Sequence, residues 1–379
     1  MLTAKELEQR LLKFTRARLA TREVVDTITV DTRLFEDRVI DSLKVLELIA
    51  YLQSVLGRKI PDTQIVLANF RSIATIARVF TGEAPVATTR IQPRNATRRP
   101  KSGSAVKEFF ARGELELTPD GALIIRGAAA SLRDYFDDTV RGWALDFGAI
   151  EETFPASIPI SILERAGFMS AFPQKLVRVG ELSDGIAGPP AVCYHNYPRF
   201  ADTTMSGESI VTEIGRCYRN EYQADSSYPV ERLRSFTMRE IIALGDDKLI
   251  ERLRSEMMEQ VTLWVKELAL EGHIEIATDP FFTDGSRGRM LMQRMLPLKY
   301  ELRLRVDPDG RSVAAASFNN HEQHFGRAFS IRLPSAEYAH SGCVAFGWER
   351  WIIAFVNQHG PDEDNWPDIV RLRYVAAAV

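Results

Sequence analysis

Along the first eighty residues, apolar side chains return at helical spacing. Leu7, Leu11 and Leu12 mark one helix; after a long loop through Thr32 a second begins near Ser42. The second helix brings Leu43, Leu46, Ile49, Leu52 and Leu56 near one face, and Gly57 stands where a helix terminates. A short segment after Pro61 and a last helix from Ser72 to Phe80 follow, with no sustained strand-like alternation. This pattern predicts an all-α four-helix bundle over residues 1–82. Beyond residue 105 the pattern is mixed. Helical stretches (Ser131–Phe147, Asp246–Glu271) alternate with strand candidates at Glu213–Tyr222, Ser235–Ile242, Tyr300–Val306, Ser312–Phe318 and Ser341–Ala345. The polar tetrad Asp307-Pro308-Asp309-Gly310 joins two of these as a hairpin turn. The order predicts an α+β domain over 106–379, an antiparallel sheet with flanking helices. No internal repeat is visible.

Between the two, residues 83–105 are rich in Pro, Thr, Ser and Ala, basic, and nearly free of large apolar side chains. Such a stretch buries too little surface to fold, so it reads as a flexible linker with solvated arginines. The whole chain, 379 residues with 45% hydrophobic and 26% charged, has room for two or three domains. Its net charge of −3 points to neither nucleic acid nor membrane as the main partner. No apolar run approaches the roughly 20 residues of a membrane span. Met1–Arg18 mixes charge with apolar residues at helical spacing, unlike a signal peptide, so the expected location is cytoplasmic. Three cysteines, Cys193, Cys217 and Cys343, lie far apart. In a reducing compartment they argue against a disulfide framework and give weight to metal or catalytic roles.

Three short stretches carry candidate chemistry. Asp41-Ser42-Leu43 sits where the long loop meets the second helix. Asp and Ser are good N-cap residues, which alone accounts for them there; the free N–H groups of a helix start also suit a phosphate ester. Arg219-Asn220-Glu221 ends a strand candidate, and Arg-x-Glu on a strand puts both side chains on one face. A surface ion pair is the plain alternative. Ser341-Gly342-Cys343-Val344-Ala345-Phe346-Gly347-Trp348-Glu349-Arg350 is a glycine-containing strand running into a helix.

The Asp-Ser-Leu triplet before an apolar helix, within a small helical domain, resembles acyl and peptidyl carrier proteins. The resemblance covers essentially Met1–Gly82 and implies that Ser42 accepts 4′-phosphopantetheine, whose thiol carries an acyl group as a thioester. The partner that installs it would be a phosphopantetheinyl transferase. One departure is Val39, where a glycine often stands two residues before the Asp.

The Arg219 and Arg350 stretches, joined by the return strand Ser235–Glu240, resemble motifs 2 and 3 of class II aminoacyl-tRNA synthetases, with a core of the seryl type. That resemblance covers roughly Phe109 to the C-terminus. Motif 1, which builds the dimer interface in that class, would fall within Asp134–Pro159, implying a homodimer. Arg219 would bind the ATP α-phosphate and the substrate carboxylate, Glu221 the adenine amino group, and Phe236 the adenine ring. Arg232, Lys299 and Arg350 would add cations around ATP, and Ala314–Ser317, with Ala315 and Ser317, would line the nucleotide site. Many seryl-type enzymes hold Mg²⁺ with a Glu in that stretch, where this chain has alanines.

The cysteines on their own read as small buried hydrophobes. In atypical archaeal seryl synthetases, and in their homologues the amino acid:[carrier protein] ligases, a Cys, a Glu and a Cys bind zinc. The matching residues are Cys193, Glu240 and Cys343. Three protein ligands leave one position open, here for the substrate amino group. Cys217 is the rival ligand, since its parity puts it on the face of Arg219 and Glu221, and the family match alone favours Cys193. Asp279 is a candidate second contact to the substrate ammonium, or a turn residue before Pro280.

Together the resemblances imply an ATP-dependent amino acid:[carrier protein] ligase fused to its own carrier. It would make an aminoacyl-adenylate and pass a small amino acid, glycine or alanine, to the Ser42 arm of its own or a partner's carrier domain. A true aminoacyl-tRNA synthetase and a non-catalytic regulatory paralogue are the alternatives. The absence of a tRNA-binding arm in the sequence argues against the first, and the presence of Arg219, Glu221 and Arg350 against the second.

Overall fold

A computed structural model of the protein describes residues 2–19, 25–34, 39–40, 42–60, 64–65, 67–83, 89–91, 105–222, 229–277 and 298–371. The chain divides into two compact units, one containing Met1–Thr88 and the other Thr89–Glu275 with Lys299–Val379.

The first unit is helical. Helix α1 (Ala4–Phe14) starts from a capping box, in which the Thr3 side chain accepts from Glu6 N and the Glu6 side chain accepts from Thr3 N. It runs on into one π-helical stretch, Thr15–Leu19. Helix α2 spans Ser42–Leu56, α3 is the single turn Leu67–Phe70, and α4 spans Ile73–Thr81. The α4 helix is capped by the Ser72 side chain and stopped by Gly82, whose φ of 87° is the left-handed conformation that glycine tolerates. Leu7, Leu11, Val45, Leu48, Leu52, Phe70, Ile73, Ile76 and Phe80 form one buried core. Phe14 stacks on Tyr51 with ring centroids 3.9 Å apart. The expected helix from Ser42 to Leu56 is found with its first and last residues as read from the sequence.

The second unit is built on an eight-stranded sheet. Its strands are β1 (Thr89–Ile91), β2 (Ile150–Glu151), β3 (Ser209–Tyr218), β4 (Ser235–Gly245), β5 (Gly272–Ile276), β6 (Lys299–Arg305), β7 (Ser312–Glu322) and β8 (His340–Gly347). Their order across the sheet is β1-β5-β6-β7-β8-β4-β3-β2. The Asp307–Gly310 turn does join a hairpin: β6 and β7 pair antiparallel from Lys299↔Asn319 to Arg305↔Ser312. The expectation of a purely antiparallel sheet is corrected. Edge strand β2 lies parallel to β3, with Ile150 opposite Val211, so the sheet is mixed. A parallel pair needs a long connection between its strands, which residues 152–208 supply.

Two further expectations shift. The strand expected at Glu213–Tyr222 starts and ends four residues earlier, so Arg219-Asn220-Glu221 lie in the turn beyond β3 and strand alternation does not govern them. Within the expected linker, Thr89–Ile91 pairs with Gly272–Ile274 as an edge strand, and Ala105 begins helix α5 (Ala105–Ala111). Composition averaged over the stretch hid the β-branched Thr89 and Ile91.

Helices α6 (Gly127–Asp146), α7 (Asp247–Glu267) and α8 (Trp348–His359) share one hydrophobic core with the sheet. Phe136, Trp264, Trp348, Trp351 and Phe355 interlock there, with centroid distances of 4.6–6.4 Å among the contacting pairs. One ion pair crosses this layer. Arg239 of β4 is 1% exposed and holds both oxygens of Asp137 on α6, at 2.6 and 2.7 Å. Trp348 Nε1 donates to the same carboxylate at 2.9 Å. Asp137→Ala leaves the buried guanidinium with only Thr212 and the longer contacts to Glu151, and should destabilise the second unit by about 3–5 kcal/mol, read as a lower denaturant midpoint.

His359 ends α8 buried, with Nε2–H donating to Leu268 O at 2.8 Å. Burial lowers its pKa to about 4. The unfolded chain takes up this proton near pH 6.5 and the folded chain does not. Stability from this residue is therefore full above pH 6.5 and is lost as pH falls toward 4, by ~3 kcal/mol in all. His359→Gln should flatten the pH dependence of the melting temperature in that window. Among the described residues no helix is long and apolar enough to cross a membrane.

Candidate functional site

The site lies on the sheet face that carries Glu240. Strands β8 and β4 pair with Ala345 opposite Glu240 and Cys343 opposite Ile242, so Glu240 and Cys343 are diagonal neighbours on one face. The third member comes from a segment that crosses β3. Glycine at 215 permits the crossing, since a Cβ there would stand 2.9 Å from Val192 Cγ2. The Glu240 carboxylate then holds the segment by its backbone, accepting from Val192 N at 3.1 Å and Cys193 N at 3.2 Å. As a result Cys193 Sγ, Cys343 Sγ and a Glu240 oxygen all lie within 4.8 Å of one another, each residue buried. Cys217 is buried in β3 and does not join this group.

Burial and hydrogen bonding set the electrostatics of the trio. A hydrogen bond with Cys343, burial and the Glu240 charge hold the Cys193 thiol well above its ordinary pKa. Burial likewise raises Glu240, against hydrogen bonds from Cys193 and Val192 N. Two thiols and a carboxylate, close and dry, form the N/S/O donor set that zinc prefers, and three such ligands leave a coordination position open.

A cavity of about 140 Å³ opens on the same face. All eight residues expected around ATP line it: Arg219, Glu221, Arg232, Phe236, Lys299, Ala315, Ser317 and Arg350. Although Arg219 and Glu221 stand beyond the strand, the ladder carries on through Arg219 N, which donates to Arg234 O at 2.9 Å. The Arg219 guanidinium donates to Pro190 O at 2.9 Å and lies 5.1 Å from the Phe236 ring. The guanidinium of Arg350 is fixed by Ala314 O at 2.9 Å and Glu231 O at 3.0 Å. Burial alone would raise Glu221; the Lys175 ammonium at 2.5 Å, with Arg219 and Arg350, brings its pKa below the usual value. Lys299 pairs with Glu301 at 2.7 Å.

The same wall carries acids that the sequence reading passed over: Glu231, Glu301 and Glu349. Glu349 is 2% exposed, accepts from Thr237 N at 2.8 Å, and its Oε2 has no hydrogen-bond partner among the described residues. Asn319 was also missed. Its Nδ2 donates to Cys343 Sγ at 3.3 Å and to Ser317 Oγ at 3.0 Å, joining the thiol site to the cavity wall. The signal was present: Ser317, Asn319 and His321 alternate along β7, and the expected strand stopped at Phe318. Asp279 lies outside the described residues. In the first unit, the backbone of Ser42 opens α2.

Residues 16–80 match the family model for a phosphopantetheine attachment site. Two proteins of Bradyrhizobium diazoefficiens are similar to the chain. Amino acid–[acyl-carrier-protein] ligase 1 is 33% identical over 184 residues, 48% of this chain and 55% of that protein. Amino acid–[acyl-carrier-protein] ligase 2 is 31% identical over 248 residues, 58% of this chain and 72% of that protein. Among solved structures, the M. kandleri seryl-tRNA synthetase in complex with A. aeolicus tRNASec superposes with a TM-score of 0.63 at 20% identity, covering 80% of this chain and 67% of that one. What is shared with it is the class II synthetase-like fold, a mixed sheet with helices, to which this chain adds a carrier domain. The similarity to the second ligase reaches across most of that protein, and on it the chain belongs to the amino acid–[acyl-carrier-protein] ligase family.

Proposed function

We propose that the second unit activates a small amino acid with ATP as an aminoacyl-adenylate and passes it to the phosphopantetheine thiol on Ser42. The observation that carries this reading is the convergence of four cations, Arg219, Arg232, Lys299 and Arg350, on one cavity beside a buried Cys-Glu-Cys trio. Residues 1–82 act as a four-helix carrier bundle, 83–105 as the tether and 106–379 as the ligase. A tether raises the effective concentration of the thiol at the site.

In the first step the substrate carboxylate attacks the α-phosphorus of ATP and pyrophosphate leaves. Arg219 lies between these two anions and lowers their repulsion. Phe236 and Glu221 hold the adenine, while Arg232, Lys299 and Arg350 neutralise the outer phosphates. Magnesium would accompany the nucleotide, with Glu221, Glu231, Glu301 and Glu349 as the acids on the cavity wall. Zinc, held by Cys193, Glu240 and Cys343, would supply a Lewis-acid site for the substrate amino group. The family resemblance favours a small amino acid, glycine or alanine. In the second step the carrier thiol attacks the activated carbonyl and AMP leaves.

A homodimer is supported by apolar side chains exposed around edge strand β2, with Ile150 66% exposed and Leu145 and Ile214 nearby in chain and sheet. The protein is expected to act in the cytoplasm.

Pyrophosphate exchange measured with each amino acid tests the reading. Glycine or alanine should drive it, and exchange with none of them sinks the proposal. Stripping metal with dipicolinate should abolish exchange, and added zinc should restore it. Exchange that persists in metal-free protein removes zinc from the mechanism.

A further inference from the structure

Behind the Cys-Glu-Cys trio lies a second buried polar layer with no role so far. His321, on β7, is 3% exposed. Its Nε2 lies 3.8 Å from Cys343 Sγ, and its Nδ1 lies 3.3 Å from both Ser341 Oγ and Tyr197 Oη. Phe325 stands edge-on to the imidazole at 5.0 Å and Tyr197 at 6.3 Å, so the ring plane is fixed. The Tyr197 hydroxyl also influences the Cys193 thiol. Both sulfurs of the trio are therefore touched by one connected layer, Tyr197–His321–Ser341.

A neutral imidazole can meet Cys343 in two ways. With a thiol, Nε2 accepts from S–H and Nδ1–H donates to the hydroxyls. With a metal-bound thiolate there is no sulfur proton to accept, so a hydrogen bond requires the imidazole N–H at Nε2. Nδ1 then accepts from Ser341 Oγ–H, which leaves the Tyr197 hydroxyl proton for the Cys193 thiolate. Metal binding displaces one proton from each thiol, and the imidazole stays neutral with its single proton at Nε2. Two thiolates and a carboxylate exceed the charge of a divalent cation by one, and hydrogen bonds to sulfur offset that excess in a dry site. Asn319 Nδ2 also reaches Cys343 Sγ but is shared with Ser317 Oγ.

We propose that His321 is a positioning residue of the metal centre, donating Nε2–H to the Cys343 thiolate while Ser341 Oγ–H holds Nδ1. The proposal rests on the metal-bound reading of the trio and adds a residue that does not touch metal or substrate.

Zinc affinity, by competition with a chromophoric chelator, and the thiolate-to-cobalt charge-transfer band of the cobalt-loaded full chain test it without any turnover. His321→Leu should weaken zinc about 10- to 100-fold and shift the band. His321→Gln, whose amide N–H reaches to a similar distance, should recover most of the affinity. Ser341→Ala should give an intermediate loss. A folded His321→Leu protein with wild-type affinity and an unmoved band overturns the proposal. If His321→Leu does not fold, Ser341→Ala decides, and unchanged affinity in it has the same effect. A wild type that binds neither zinc nor cobalt overturns the metal reading itself, and this inference with it, so the two failures are told apart by the wild-type titration alone.

Discussion

Ser42→Ala should leave no aminoacyl label on the protein after incubation with ATP, amino acid and a phosphopantetheinyl transferase, while pyrophosphate exchange runs at the wild-type rate. The substitution removes the oxygen that would carry the arm. It should not disturb activation, because Arg219, Glu240 and the cavity belong to the other compact unit. The cost to folding should be modest: Ser→Ala at a helix cap costs about 0.5–2 kcal/mol. Acid-precipitable label, released by hydroxylamine as a thioester is, separates the outcomes. Label that survives the substitution would place the acceptor elsewhere. Loss of exchange together with label would mean that Ser42 acts on activation, which the two-step scheme does not allow.

Arg219→Ala should lower kcat/KM for pyrophosphate exchange by about 10³-fold, at the upper end of what one removed donor costs when charge develops in a dry site. Two structural duties add to the loss. The guanidinium donates to Pro190 O, which sits just before the segment that delivers Cys193, and it lies over Phe236. Arg219→Lys keeps the charge but not the planar fork, so it should recover part of the rate and little of the orientation. Zinc content of both variants tells the duties apart. An unchanged zinc content with lost exchange assigns the effect to phosphate and carboxylate, whereas lost zinc assigns it to the Pro190 tie. An Arg219→Ala enzyme with near wild-type exchange would remove Arg219 from the reacting centre.

The sequence made some of this legible and hid the rest for physical reasons. The α2 limits were readable because an apolar face and a glycine stop are local features. Strand alternation puts Arg219 and Glu221 on one strand face, whereas they line the cavity from a turn beyond the strand. Parity left Cys193 and Cys217 as rival ligands. What separates them is the hold of Glu240 on the backbone of residues 192 and 193, a contact between distant segments that no periodicity carries. His321 and Asn319 went unseen because the strand was read as ending too early. The parallel placement of β2 rests on two residues, too few to leave any pattern.

The pairing of Thr89–Ile91 with Gly272–Ile274 bears on how the proposed carrier would reach the ligase site. The linker is moored to the edge of the ligase sheet partway along its length. On the proposed function, any tether ahead of that pairing is residues 83–88, not the whole of residues 83–105. Inserting residues between 83 and 89 should then alter loading more than inserting the same number between 92 and 104, which lie beyond the paired strand.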